Sequence, residues 1–522
     1  MRRGVPSPTS ALAAMLAVGL LAGGCASSTS TSTPEAPAPA WPSLANPVRR
    51  DMGDGVRVGT GHAAPRQEDR PVIAGRVYDL TDLIDLAEAT NPRTRGAWNR
   101  ARNAAQGIGL ARALYLPHLA LSVMAGYQTA AVPLPAYLTA GQGWFTLQTA
   151  EIIPMLTVNW LLFDFGKRDA EMEVARQLAF ASDAGFTGEH QRLMFDVCRT
   201  YFQLSAARER TRAAGQALAD ATIVETAARA RRGQGIATSI EVAQAVQATA
   251  QARFALVGAQ GQESTAYTDL LHAAGLPYDT MIAVRDAADR PLPSGADQNL
   301  DRLVQKAVAT RPDVQASLAS VRASQARVRS AQADFRPRIF MTGNVAGNIG
   351  WFSARLHGNA ANALAAQGLS PSVPDYTMSQ PMAGVMMGLS VPLYDGGMRR
   401  SQLASARAQA DSAAADLEQM RQNAAQEVVG SYNALRTGLA AFRAAEALLR
   451  AATVTHDAAL DAYRHGLGTM QDVAMATIGL ETARQDRADS HAAALTAAAA
   501  LAFATGALGS ASAAPLAPDP AP

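Results

Sequence analysis

One long pattern occurs twice in this chain, and it constrains the fold more than any other feature. The first copy opens with TDLIDLAEATNPRTR and the second with DRLVQKAVATRPDVQ, at an offset of 220 positions. Further on, the copies read LLFDFGKR and PLYDGGMR, now 231 positions apart. Duplication on this scale sets the architecture, because each copy is expected to form the same structural unit. The sequence therefore predicts two tandem repeats, at residues 78–290 and 291–508.

Each copy has the same order of predicted elements. A short helix (about residues 80–90 and 300–310) stops at an X-Pro step, and a helix of about 22 residues follows, because proline is tolerated in a first helical turn. Two segments with period-2 alternation come next, HLALSVMAGYQ and EIIPMLTVNWLLF in one copy, RIFMTGNVAGN and AGVMMGLSVPL in the other. Alternation over about 9 to 11 residues predicts strands that cross a bilayer obliquely, and Pro392 marks the end of the last strand. Arg399 and Arg400, which follow it, are expected to meet the aqueous interface.

Two very long helices joined by a short hairpin complete each copy. The first runs without proline from Lys167 to about Arg229, which corresponds to roughly 90 Å at about 1.5 Å per residue. In the second copy the apolar positions follow a heptad spacing, which predicts side-by-side packing in supercoiled pairs. These positions are Val428, Tyr432, Leu435, Leu439, Phe442 and Leu449.

The N-terminus is typical of an exported protein. Two arginines precede an apolar stretch, and small residues then lead directly into Cys25. This arrangement resembles a bacterial lipobox, which makes residues 1–24 a predicted signal peptide and Cys25 a predicted lipidation site. An ordinary signal peptide, cut at another small residue, is the alternative. Residues 25–77 and 509–522 are predicted to be a flexible linker and a flexible tail, because they are rich in small residues and proline.

Composition excludes several classes of function. The net charge is only +2, and the basic residues form no stripe suited to nucleic acid. The 8 histidines show no metal-binding spacing, and no pattern of nucleophile and base indicates an enzyme. We therefore expect no catalytic residue, no metal and no cofactor apart from a covalent lipid on Cys25. Cys198 is expected to be a small buried thiol.

Membrane physics sets a further condition. After the signal peptide, no apolar run reaches the roughly 18 residues that a spanning helix needs. Strands in lipid must close into a barrel, because an open edge leaves backbone groups unpaired. The four predicted strands are too few, since roughly eight fill even a small barrel, whereas a cyclic trimer would supply twelve and an open pore. The sequence thus predicts a mainly α protein with a transmembrane β portion that several chains share.

Taken together, these features resemble the outer-membrane efflux protein family of TolC-like channels. The resemblance rests on the paired halves, the NP and RP helix starts, the FD-x-G-x-R and YDGG-x-R strand exits and the hairpin YRHGLGTMQDV, and it spans about Tyr78 to Leu508. It implies a homotrimer whose twelve-stranded barrel in the outer membrane continues into a periplasmic α-helical barrel. It also implies two partners, a periplasmic adaptor (membrane fusion) protein and an inner-membrane pump.

The resemblance places the functional residues at the tips of the helix hairpins. Asp472 falls on the first of two family aspartates that narrow the channel entrance, and Met475 stands at the second, so this periplasmic gate would be part acidic and part apolar. Glu241 is the equivalent of Asp472 in the first copy and is expected to add charge or to hydrogen-bond Tyr463. The alternative for both acids is an exposed carboxylate at a helix start, favoured by the helix dipole. The expected adaptor-contact tips are Arg231, Gly235, Thr238 and Gly466.

The leading functional hypothesis is an outer-membrane channel that passes drugs, toxic compounds or metals to the exterior. Small-molecule export is favoured because a lipobox is commoner among the efflux members of the family. A type I protein-secretion channel and a soluble periplasmic coiled-coil scaffold are the alternatives.

Overall fold

The computed structural model describes most of the chain, in the ranges 76–133, 143–293 and 299–508. The predicted signal peptide, Cys25, the predicted tail and all but the last two residues of the predicted linker lie outside the described residues. No helix within the described ranges is long and apolar enough to cross a membrane.

Among the described residues, the elements follow one another in the same order twice, apart from one additional short helix between the two long strands of the second copy. The first series is β1 (Val77–Tyr78), α1 (Leu80–Thr90), α2 (Pro92–Ala113), β2 (His118–Pro133), β3 (Gly143–Phe163), α3 (Lys167–Gly233) and α4 (Ser239–Ala273). The second is β4 (Ala283–Val284), α5 (Leu300–Thr310), α6 (Pro312–Ala333), β5 (Arg338–Gly358), α7 (Asn359–Ala366), β6 (Ser372–Ser390), α8 (Met398–Arg464) and α9 (Met470–Ala504). The described chain divides into two compact units: one holds the four long strands and the helix ends next to them, and the other holds most of the helical residues.

Prolines position the short helices. α1 ends at Thr90 and α2 begins at Pro92, and the second copy repeats these bounds at Thr310 and Pro312, as predicted. Proline suits the first helical position because its missing N–H would have no intrahelical partner there. Both helices that begin with proline have the predicted length of 22 residues.

The long helices come in two lengths. α3 and α8 have 67 residues each, and α4 and α9 have 35 each. At about 1.5 Å per residue, the longer pair corresponds to roughly 100 Å of helix. On the predicted seam of α8, Leu435 and Leu439 pack against Ala494 and Ala497 of α9. Side-by-side packing of these two helices is confirmed, and their supercoil stays a prediction.

The largest apolar core lies in the helical unit. Its fully buried side chains include Leu83, Val197, Phe202, Leu270 and Leu271. The short parallel pair of β1 and β4 borders this core through Tyr78 and Val284. Cys198 belongs to the same core, and burial raises the pKa of its thiol to about 12. The prediction of a small buried thiol is confirmed, and a thiol with so high a pKa is a poor nucleophile.

The other unit is built on a four-stranded antiparallel sheet in the order β2-β3-β5-β6. Its strands have 16, 21, 21 and 19 residues, so the predicted length of about 9 to 11 is wrong. The strands are longer because antiparallel pairing continues past the alternating segment, as in the pairing of Gln148 on β3 with Ser353 on β5. β6 ends at Ser390, so the prediction that Pro392 lies at a strand end is confirmed.

The register gives this sheet one apolar face and one polar face. Residues directly opposite each other in an antiparallel sheet share a face, and Leu121, Leu156, Val345 and Ala383 form one such row. Along β2, every second residue of the alternating segment lies on this apolar face, namely Leu119, Leu121, Val123, Ala125 and Tyr127. The other face, called the polar face, carries Ser122, Gln128, Glu151, Thr157, Asn344 and Asn348, together with a smaller number of apolar side chains such as Met155, Met382 and Met386. The predicted alternation is therefore confirmed in both copies.

Candidate functional site

The joint between strand and long helix is built on one aspartate and one arginine. At the start of α3, the Asp164 carboxylate accepts hydrogen bonds from the backbone N–H of Arg168 at 3.0 Å and from its Nε at 3.1 Å. The same guanidinium donates to the carbonyls of Leu161 and Leu162 at 2.6 and 3.0 Å. Both charged side chains are buried, with 10% and 6% of their surface exposed. One arginine therefore ties the end of the strand to the beginning of the helix.

The second copy repeats this joint. The Arg399 guanidinium holds the pKa of the Asp395 carboxyl below its usual range, and it also donates to the Pro392 carbonyl at 3.1 Å. The Arg399 side chain is thus mostly buried, and the expectation that it meets water is wrong, because the end of the strand supplies its hydrogen-bond partners. Arg400 is exposed, as expected. Each arginine also lies over an aromatic ring, 4.7 Å from the ring centre of Tyr115 and 5.6 Å from that of Phe335.

At the other end of the long helices, both hairpins turn at a glycine. Gly235 and Gly466 each have φ of +76°, and the residue after each donates its N–H to a carbonyl five positions back, at 2.9 Å in the first hairpin and 2.8 Å in the second. This is the Schellman arrangement, in which glycine is favoured because a positive φ costs it little.

Each predicted gate acid completes a capping box at the start of its helix. The Asp472 carboxylate accepts from the Thr469 N–H at 2.9 Å, and the Thr469 hydroxyl accepts from the Asp472 N–H at 3.2 Å. Thr238 and Glu241 repeat these bonds at 3.4 and 3.2 Å. The boxes satisfy N–H groups that a first helical turn leaves without intrahelical partners. The Thr469 hydroxyl and N–H also hold the pKa of Asp472 below its usual range, so this exposed carboxylate is charged at neutral pH.

Two further predicted site residues, Arg231 and Tyr463, meet between the hairpins. Arg231 Nη1 donates to the Tyr463 carbonyl at 2.8 Å, and the guanidinium carbon lies 4.8 Å from the centre of the tyrosine ring. Tyr463 is buried, and burial raises its pKa. Its neighbours in this apolar cluster are Val224, Ala228, Ala245, Met470 and Val473. Glu241 bonds Thr238 instead of the predicted partner Tyr463, because its carboxylate caps its own helix.

The remaining predicted site residues are exposed at the tips. These are Met475, Gly235, Thr238 and Gly466. Sequence reasoning missed the contact between Arg231 and Tyr463, which joins helices far apart in the chain and leaves no local signal. It also missed that Arg168 and Arg399 bind the aspartate four positions before them and join strand to helix. The Asp and Arg at i,i+4 spacing in both strand exits could have indicated this pair.

A model of the family described as outer membrane efflux protein matches residues 83–276 and 303–507, which is more than half of the chain. The chain belongs to the outer membrane efflux protein family. It is therefore an outer-membrane channel of a tripartite export system, and this family is one of transport proteins rather than enzymes.

Individual relatives agree with this assignment of the channel. Protein CyaE of Bordetella pertussis is 26% identical over 426 residues, which cover 78% of this chain and 79% of CyaE. Outer membrane protein OprJ of Pseudomonas aeruginosa is 25% identical over 384 residues, or 73% of each chain. The solved structure of the outer-membrane channel OprN aligns with a TM-score of 0.67 at 19% identity, over 82% of this chain and 90% of OprN. At that identity the structural match establishes the fold.

Proposed function

We propose that three copies of this channel close one twelve-stranded barrel in the outer membrane and pass small molecules through it. The observation that carries the proposal is the pair of sheet edges: among the described residues, β2 and β6 each pair with one strand only. Backbone groups on such an edge would be unpaired in hydrocarbon. Pairing β6 of one copy with β2 of the next removes both edges, and three copies complete the ring.

The apolar face of the sheet supports membrane insertion. Trp160 lies opposite Met341, and Trp351 lies opposite Ala150, so two rows with aromatic residues bound the apolar segment of this face. Along β5, these two rows are ten positions apart, from Met341 to Trp351. At about 3.3 Å per residue and a tilt of about 40°, they span roughly 25 Å of bilayer. Outer-membrane barrels have an apolar band of about this height between two aromatic girdles.

A cysteine scan tests the proposed closure. Cysteine at Ser122 on β2 is combined with cysteine at successive positions of β6 near Gly384, and the protein is oxidised in the outer membrane. We expect intermolecular disulfides that link up to three copies. Cysteines at Ser122 and Asn344 serve as the control, because the central strand β5 has both edges occupied within its own chain. If no β6 position cross-links to β2, the shared barrel is wrong.

The hairpin tips are proposed as the periplasmic gate. Three charged Asp472 side chains around the axis, with Met475 one turn further along α9, would narrow the entrance. The bond from Arg231 to Tyr463 would hold the two hairpins of each copy together in the closed state, while Glu241 stabilises its helix start and adds charge. The adaptor would contact the exposed tip residues Gly235, Thr238 and Gly466. Ile236 and Leu467 stand beside the two glycines with 63% and 86% of their surface exposed, which offers that partner an apolar contact.

The partners proposed for this channel are a periplasmic adaptor and an inner-membrane pump, with a lipid on Cys25 as a further outer-membrane anchor. Small molecules are the proposed cargo because of the predicted lipobox, and protein secretion is the second candidate. Deletion of the gene separates the two: we expect hypersensitivity to drugs or metals with an unchanged profile of secreted proteins. Loss of one secreted protein without hypersensitivity would establish the second candidate instead.

A further inference from the structure

We propose that Glu151 gives the outer part of the barrel lumen a preference for cationic solutes. The inference rests on the proposed barrel, in which the apolar face of the sheet meets lipid and the polar face lines the lumen. Glu151 lies on that polar face, in a row with Gly126 of β2 and Gly350 of β5. Because both neighbours in the row are glycines, neither adjacent strand places a side chain beside Glu151 within its own row.

The charge of Glu151 has no basic counterpart on this part of the sheet. β5 carries no charged residue between Arg338 and Arg355, and Glu151 is the one carboxylate of β2 and β3. The one charged residue of β6 is Asp375, which is also acidic. Arg338, at the periplasmic end, is bound to Asp334 at 2.7 Å. Arg355 lies opposite Thr146, on the continuation of the apolar face. Each copy therefore adds at least one negative charge without a basic counterpart to the lumen at this level, and lumen-facing residues tune barrel selectivity.

The carboxylate is held in one orientation. Asn348, on the same face, donates from Nδ2 to Glu151 Oε2 at 2.7 Å. The other carboxylate oxygen has no protein partner among the described residues, so it is available to a solute. A carboxylate held in one orientation on a strand interacts with each passing ion in the same geometry. It does not lose conformational entropy at each encounter, as a carboxylate on a mobile loop would.

Two aromatic rings on the polar face, those of Phe352 and Tyr376, would let the lumen favour organic cations as well as inorganic ones. Phe352 lies opposite Thr149, one step along the polar face from the Glu151 row, and Tyr376 lies opposite Phe352 on β6. The two ring centres are 5.6 Å apart, and 63% of the tyrosine surface is exposed. A carboxylate close to aromatic faces is suited to an organic ammonium group, which is attracted by the charge and by the ring quadrupoles.

Reversal potentials measure this preference. The purified full-length protein is inserted in planar bilayers under a gradient of KCl, and then of tetramethylammonium chloride. We expect a wild-type preference for cations that falls several-fold in Glu151→Gln and falls further in Glu151→Lys. Tyr376→Leu should lower the permeability of tetramethylammonium relative to K⁺ while leaving the ratio of K⁺ to Cl⁻ as in the wild type. Asp279→Asn is the matched control, since it removes one negative charge from an exposed loop of the helical unit.

The outcomes separate this inference from the channel function. A conducting Glu151→Gln channel with the wild-type ratio of K⁺ to Cl⁻ would overturn the role of Glu151 and leave the channel function intact. If the wild-type protein forms no conducting pore, the proposed barrel channel is wrong, and the proposed role of Glu151 is wrong with it.

Discussion

At each strand exit, a single arginine joins a strand end, a helix start and an aromatic ring. The backbone between strand and helix is tightly turned: Phe165 and Gly166 have φ of +54° and +95°, and Gly396 and Gly397 have +68° and +90°. A positive φ is strained for phenylalanine but not for glycine, so the first joint depends more on its side-chain contacts. The ring of Phe165 packs edge-on against Phe163, with ring centres 4.6 Å apart. We infer that the buried Asp164 and Arg168 pair and this ring contact together hold the turn.

Replacement of Arg168 by methionine tests that inference. Asp164 would stay buried without its charge partner, and breaking a buried ion pair in this way costs about 3 kcal/mol. We expect Arg168→Met to lower the free energy of unfolding by about that amount in guanidinium denaturation of the detergent-solubilised protein. Arg400→Met, at the exposed arginine of the second joint, should change it by less than about 0.5 kcal/mol. Equal effects of the two substitutions would contradict the role of the buried pair.

The stability of the N-terminal cap of α9 is expected to depend on pH through Asp472. The pKa of Asp472 in the folded protein lies below its ordinary value of about 3.9, because the Thr469 hydroxyl and N–H bond the ionised form. The ionised carboxylate therefore stabilises the cap at every pH above that ordinary value, and this contribution is lost as the pH falls through the folded pKa. We expect hydrogen exchange in the first turn of α9 to quicken on such acidification, after correction for intrinsic rates. Asp472→Asn should remove this dependence, and its persistence in that variant would refute the assignment.

At the scale of elements, local signals were predictable from the sequence and long-range ones were not. The first residues of α2 and α6 could be predicted from Pro92 and Pro312, because proline restricts its own backbone conformation and lacks an N–H. The length of β3 was missed, because pairing with β5 continues where the sequence no longer alternates. The capping role of Glu241 was open to prediction from its spacing to Thr238, whereas the contact of Arg231 with Tyr463 depends on how distant helices pack.

Glycine at the end of α4 provides a test of close packing. Gly275 has φ of +70°, and a Cβ there would lie 2.7 Å from the Asn91 Cα. Strain and overpacking together should make Gly275→Ala lower the free energy of unfolding by about 2 to 4 kcal/mol. Gly258→Ala, inside α4, meets nothing within 4 Å and should raise the free energy of unfolding by about 0.5 to 1 kcal/mol, since alanine is the better helix former. A neutral Gly275→Ala would show that Asn91 can move away.

The two faces of β2 predict opposite responses to a charge. Val123 lies on the apolar face and Ser122 on the polar face, both near the middle of the proposed bilayer band. An arginine on the lipid face at the bilayer centre costs about 2 to 4 kcal/mol per copy. We therefore expect Val123→Arg to reduce the amount of heat-resistant oligomer in the outer-membrane fraction strongly, and Ser122→Arg to reduce it little. The reverse order would mean that the lumen and lipid faces are interchanged.

At the scale of the whole molecule, the duplication explains how one chain serves both compartments. Each copy supplies two strands to one sheet and two long helices with a hairpin at their tip, so a single joint, used twice, links membrane and periplasmic parts. Neither repeat could close a barrel, and among the described residues the sheet built by both repeats still has two edges, on β2 and β6. The proposal that further copies complete the barrel follows from this count of strands, which was available from the sequence. The cargo could not be predicted from the sequence. In the proposed barrel it depends on which side chains face the lumen, and only the register of the sheet assigns them to a face.

The mass of the native complex tests the central claim most directly. The protein is extracted from the outer membrane in mild detergent and examined by native mass spectrometry without cross-linking. The account predicts one dominant species that contains three copies of the mature chain. A stable folded monomer as the dominant species would contradict it, because such a chain would carry the edges of β2 and β6 unpaired in the membrane.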